Sequence, residues 1–157
     1  MSTWRDADRW AAMRGGEGCP ICRDGMPRDV VAELEASWVA MGEDAPMRGY
    51  AVLVLKRHAV ELHDLSDDEG AAYMRDIQHL SRAIADATNA VKLNYEIHGN
   101  TIPHLHMHLF PRYVGDPFEG RPIDPRSVRG PVYAPGEFSA LRDRVRVALA
   151  GEVRSQS

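Results

Sequence analysis

Residues 103–110 read Pro-His-Leu-His-Met-His-Leu-Phe, imidazoles alternating strictly with large apolar side chains. In a β-strand successive side chains point to opposite faces, so His104, His106 and His108 share one face and Leu105, Met107 and Leu109 the other. A helix would not segregate the apolar residues in this way. The run is therefore a strand with one face for packing and one for chemistry. Three histidines in register are rare on a merely solvated face, and histidine is the side chain whose ordinary pKa lies nearest neutrality. At ~3.3 Å per residue His104 and His108 stand about 13 Å apart, whereas a zinc–nitrogen bond spans only about 2.0–2.1 Å. One ion cannot gather all three rings, so they are expected to divide the work.

The flanking sequence supplies the rest of a small α+β domain. "RDADRWAAMRG" reads as a short helix or ordered arm ending at Gly15-Gly16. "VAELEASWVAM" alternates as one or two strands, 42–49 is turn chemistry, and "YAVLVLK" (50–56) is a buried strand. Ser66 and Glu69 form a capping-box pattern that opens a long helix, with Tyr73, Met74, Ile77, Leu80 and Ile84 on one face. "KLNYEI" (92–97) sets Leu93, Tyr95 and Ile97 against Asn94 and Glu96 as a half-buried strand. The triad strand should stop at Pro111, segment 114–136 is rich in Gly and Pro, and "EFSALRDRVRVALA" closes as a helix. Strands joined by short turns around one long helix imply α+β with an antiparallel sheet of about five strands. We expect residues 1–157 to form one domain, with a core over 19–113 and a covering loop and C-terminal helix over 114–157.

A formal charge of −4 argues against a nucleic-acid polymer as partner, although a local cluster of donors can still hold a small anion. No apolar run is long enough to span a membrane, and the N-terminal stretch has no apolar signal core. Two cysteines, Cys19 and Cys22 in "CPIC", are too few for a secreted disulfide framework. The expectation is a cytoplasmic protein. Alone, the cysteines read as metal ligands, as a redox pair or as two small apolar residues.

"HLHMHLF" resembles the His-x-His-x-His-x-x signature of the histidine triad superfamily, with each x apolar. "LVLKRHAVELHDLSDDE" is similar to the strand, basic turn and helix cap that precede the long helix in that family, and "CPIC" resembles the cysteine pair of its zinc-bearing members. The resemblance spans 19–113. It implies a homodimer and a nucleotide substrate whose α-phosphate is attacked by the middle histidine, here His106, to give a nucleotidyl-histidine that water or another acceptor resolves. It assigns His108 to the phosphate oxygens and Asn100 and Thr101 to the phosphates and leaving group. Asn94 falls where a phosphate-side or ribose-side group can sit, or is an edge-strand Asn. Glu43 stands near the acidic residue that holds the ribose, with Asp44 as competitor. His98, at a strand end near the triad, is a candidate to line the site. The implied zinc ligands are Cys19, Cys22, His58 and His104, with His63 the alternative to His58. His63 and His79 otherwise read as ordinary surface residues.

Two departures from the pattern stand out. Gly49-Tyr50 replaces the usual Gly-His pair, and Leu55-Lys56 the usual Pro-Lys; neither is expected to touch the chemistry. The third triad position is His108 rather than Gln, which disfavours the uridylyltransferase-like branch. The implied activity is hydrolysis of a dinucleoside polyphosphate or nucleoside phosphoramidate. The rivals are transfer to a non-water acceptor and a zinc-stabilised nucleotide-binding module.

Overall fold

In the computed structural model, which describes residues 3–155, the chain runs α1 (Ala7–Arg14), α2 (Pro20–Asp24), β1 (Val30–Glu33), β2 (Ser37–Ala40), β3 (Ala51–Leu55), α3 (Asp67–Thr88), β4 (Lys92–Glu96), β5 (His106–Arg112) and α4 (Glu137–Ser155). The five strands form one antiparallel sheet in the order β1-β2-β3-β5-β4. The α+β architecture is the one that the alternation and the capping box imply. Among the described residues no helix is long and apolar enough to cross a membrane.

The pleat separates two apolar clusters. Leu53, Met107 and Leu109 face α3 and α4, where they meet Tyr73, Leu80, Ile84, Leu141, Val145 and Leu149. Each fully buried leucine there contributes about 2 kcal/mol relative to exposure. Phe110 turns the other way and joins Met47, Phe118 and Ile123 in a smaller cluster under segment 113–128. The histidine face of β5 thus lies against irregular chain rather than under the helices.

α3 begins at the expected capping box. The Ser66 hydroxyl accepts from the Glu69 N–H at 3.3 Å, and the Glu69 carboxylate accepts from the Ser66 N–H at 2.9 Å. The same carboxylate takes two hydrogen bonds from Arg57, at 2.6 and 3.0 Å, which ties the turn holding His58 to the helix start.

The structure corrects the sequence reading in four places. β5 starts at His106, so His104 lies just ahead of the strand; Leu105 donates its N–H to Ala59 there. β5 also continues through Pro111 to Arg112. Arg112 turns its carbonyl to the N–H of Val91 beside β4, so Pro111 faces the side that β3 has already left. A missing N–H costs nothing where no partner strand remains. Gly49 adopts φ +81 at this point, and a Cβ on it would stand 2.6 Å from Thr88 and 3.0 Å from Pro111. Met74, Tyr95 and Ile97 are exposed rather than buried, because β4 is the sheet edge; α3 meets it there through the Tyr95 hydroxyl, which donates to Ser81 at 3.0 Å, and Met74 lies beside that open edge. His79 is buried on α3, not on the surface.

Candidate active site and metal centre

The cysteine turn, the basic turn and the start of the triad converge. Cys19 caps α2, His58 follows β3, and His104 precedes β5. His58 Nδ1 and His104 Nδ1 are 3.3 Å apart; Cys22 Sγ lies 3.2 Å from the first and 3.6 Å from the second, and Cys19 Sγ lies 3.5 Å from His104 Nδ1. All four donor atoms fall within 4.8 Å of one another. Zinc bonds of about 2.05 Å to nitrogen and 2.3 Å to sulfur at tetrahedral angles separate ligand atoms by about 3.3–3.8 Å.

Hydrogen bonding settles which nitrogens face inward. His104 Nε2 donates to the Leu55 carbonyl at 2.7 Å, and His58 Nε2 donates to the Arg14 carbonyl at 2.8 Å. A carbonyl only accepts, so both rings carry their proton outside and turn a bare Nδ1 toward the other. Two lone pairs at that distance repel unless a proton or a metal cation stands between them, and such outward N–H bonds are the usual support of metal-bound histidine. Burial lowers the His104 pKa and favours the neutral ring a metal needs. Burial, then its neighbour Cys19, push the Cys22 thiol up to about 11, so that thiol holds its proton unless a cation replaces it. Cys19, Cys22, His58 and His104 therefore fit tetrahedral zinc. His63, with its side chain 84% exposed and turned toward Asp64, is not among them.

His106 and His108 line a separate cleft of about 660 Å³ with Tyr50, Glu96, His98, Asn100, Thr101, Phe110 and the segment from Ile123 to Arg126. His106 Nδ1 donates to the carbonyl of His104 at 2.6 Å, which leaves Nε2 bare. His108 lies edge-on to it, with ring centroids 4.8 Å apart. Burial, followed by the neighbouring His106 and His98, holds the His108 pKa down to about 4, so this ring is neutral near pH 7. His98 pairs with Glu96 at 2.9 Å and stands 5.7 Å from His108. Asn100 and Thr101 reach the cleft from the loop that Gly99 turns at φ +69.

Two of the expected substrate residues lie elsewhere. Asn94 accepts from Arg112 Nη1 at 2.6 Å, outside the cleft. That guanidinium also bonds both oxygens of Asp116 and the carbonyls of Phe118 and Arg121, so its five donors staple segment 113–121 to β4. Glu43 and Asp44 sit together in an adjoining depression that shares Tyr50 and Pro125 with the cleft, so the geometry does not choose between them.

Sequence reasoning missed three parts of the site. Tyr50 was expected to stay clear of the chemistry, yet its hydroxyl lies 2.6 Å from His108 Nδ1. The register that pairs Val52 with His108 held the signal, since Tyr50 shares the face of Val52. Leu55, the other departure, contributes the carbonyl that orients His104. The wall from Ile123 to Arg126 comes from the irregular stretch after β5, and no local pattern announces it.

Residues 23–115 match the HIT domain family. An adenosine 5'-monophosphoramidase of Schizosaccharomyces pombe is 25% identical over 117 residues, which cover 71% of this chain and 88% of that protein. The crystal structure of a histidine triad protein from Bradyrhizobium japonicum aligns with a TM-score of 0.67 at 31% identity, over 76% of this chain and 89% of that one. A zinc-bound histidine triad family protein from Mycobacterium smegmatis shares the fold at 22% identity and a TM-score of 0.58, over 94% and 96% of the two chains.

Proposed function

The chain belongs to the HIT domain family, and on that premise we propose that it is a nucleotide hydrolase working through a covalent intermediate on His106. The observation that carries this reading is the bare Nε2 of His106, fixed by the bond from Nδ1 to the His104 carbonyl. A neutral imidazole nitrogen is a good nucleophile toward phosphorus, provided its other nitrogen keeps the proton. Its lone pair forms an N–P bond to the α-phosphate as the bond to the leaving group breaks and that group takes a proton from solvent. Water then attacks phosphorus and returns a proton to solvent, the N–P bond breaks, and a nucleoside monophosphate leaves. His108, Asn100 and Thr101 hydrogen-bond the phosphate oxygens where charge develops. His98 lines the same cleft, and Glu43 or Asp44 holds the ribose from the adjoining depression. Asn94 acts through Arg112 on the covering segment rather than on the nucleotide.

The substrate class is a nucleoside phosphoramidate or a dinucleoside polyphosphate, supported by the monophosphoramidase of S. pombe among the relatives. Zinc on Cys19, Cys22, His58 and His104 serves as a structural tie between the N-terminal segment and the triad. We read residues 1–157 as one domain that works as a homodimer, with Tyr95 on the open edge of the sheet and Met74 beside it on α3 available for the contact.

The test is release of nucleoside monophosphate from adenosine phosphoramidate and diadenosine tetraphosphate by the wild type and by His106→Ala. Release by the wild type alone is expected, and the faster substrate identifies the leaving group. Equal release by both proteins would remove His106 from the chemistry.

A further inference from the structure

Among the described residues Tyr50 is the one phenol that touches a histidine of the cleft. Its ring stacks on His108, with centroids 5.9 Å apart and planes 14° from parallel, and on Phe110 at 4.8 Å and 26°. Its hydroxyl oxygen stands 2.6 Å from His108 Nδ1. Chemistry fixes the direction of that bond. A phenol oxygen spreads its lone pairs into the ring, so it is a good donor and a weak acceptor, whereas a bare imidazole nitrogen is a strong acceptor. Burial, then the charge of Glu96, push Tyr50 up to about 12, so the hydroxyl keeps its proton at any pH of interest.

We propose that Tyr50 is a positioning residue: it donates to His108 Nδ1, confines the ring proton to Nε2, and so turns an N–H of His108 toward the bound phosphate. This rests on the nucleotide-hydrolase reading. The two cleft histidines then hold opposite tautomers. His106 gives its Nδ1 proton to a carbonyl and presents a lone pair; His108 receives a proton at Nδ1 and presents a donor. With the tautomers exchanged at His108, two lone pairs would face the phosphate and repel it. The other groups around His108 do not supply this donor. His106 is spent on the His104 carbonyl, His98 is paired with Glu96, Glu96 offers only lone pairs, and Phe110 only its ring.

The experiment is a long-range proton–nitrogen spectrum of the zinc-loaded full chain with nitrogen-15 histidine, at pH 7.5, for wild type and Tyr50→Phe. The wild type should show His108 protonated at Nε2 alone. The phenylalanine variant keeps the stacked ring and loses the donor, so its His108 should become a mixture of tautomers, with zinc content unchanged. Alongside, kcat for adenosine phosphoramidate should fall about tenfold with KM within about twofold, the loss of one hydrogen bond felt in the transition state. A wild-type His108 protonated at Nδ1 overturns the proposal without recourse to any variant. So does a Tyr50→Phe spectrum identical to wild type. If the wild type releases no nucleotide, the hydrolase reading falls, while the tautomer pattern still decides the role of Tyr50.

Discussion

The two ends of the triad use the same side chain for opposite purposes. At the His104 end, two rings give their Nε2 protons to carbonyls and aim bare Nδ1 atoms at each other and at two thiols. At the cleft end, His106 donates its Nδ1–H to a carbonyl and aims a bare Nε2 at open space. On the proposed reading, what separates a metal ligand from a nucleophile is which nitrogen the backbone takes. His104 joins the ends, since its ring enters the metal centre while its carbonyl holds His106.

If the ends are separable, damage to one should spare the other. His106→Ala should lower turnover at least about 1,000-fold, as removal of a nucleophile does, with zinc content and melting temperature unchanged. A comparable loss of zinc in that variant would show that the ends are one unit. Cys19→Ser should do the reverse. Metal analysis should find less zinc, and the melting temperature should fall by about 10 °C, corresponding to a few kcal/mol. Activity per folded molecule should drop less than about tenfold. Zinc still at one per chain would mean that the ligand set is wrong.

The metal end was more legible in the sequence than the cleft end. The alternation from His104 to Leu109 and the box at Ser66 and Glu69 are local patterns, and local patterns survive folding because they are set by strand and helix geometry. Cys19, Cys22, His58 and His104 came from motif resemblance, and the distances among them agree with it. The tautomers were not legible. They depend on the carbonyls of Arg14, Leu55 and His104, and on one hydroxyl from Tyr50, which only the tertiary fold brings near. Asn94, read either as a substrate-side group or as an edge-strand Asn, was undecided for a similar reason: only the fold shows that Arg112, on the neighbouring strand, claims its oxygen. Pro111 misled because a proline ends a strand only where its N–H is needed.

Smaller effects sharpen the cleft end. Arg112→Ala would leave Asp116, whose side chain is 3% exposed, buried without its partner. Chemical denaturation should register a loss of about 3 kcal/mol, and the wall from Ile123 to Arg126 should loosen, raising KM more than it lowers kcat. An unchanged KM would detach that wall from the substrate. The ring of His108 should stay neutral well below the ordinary histidine pKa. Its folded value, about 4, lies under its unfolded one, so the stability it contributes is present near neutrality and is lost as pH falls from about 6.5 through 4. The nitrogen shifts of His108 should therefore hold still between pH 8 and 5.5. Titration near pH 6.5 would place that ring in open water.

The most direct measurement is the intact mass of the chain after rapid acid-free quenching during turnover of adenosine phosphoramidate, followed by peptide mapping. A fraction of the protein should be heavier by one adenylyl group, carried on His106 and absent from His106→Ala. Turnover with no adduct, or with the adduct on His104, His108 or any other residue, would contradict it.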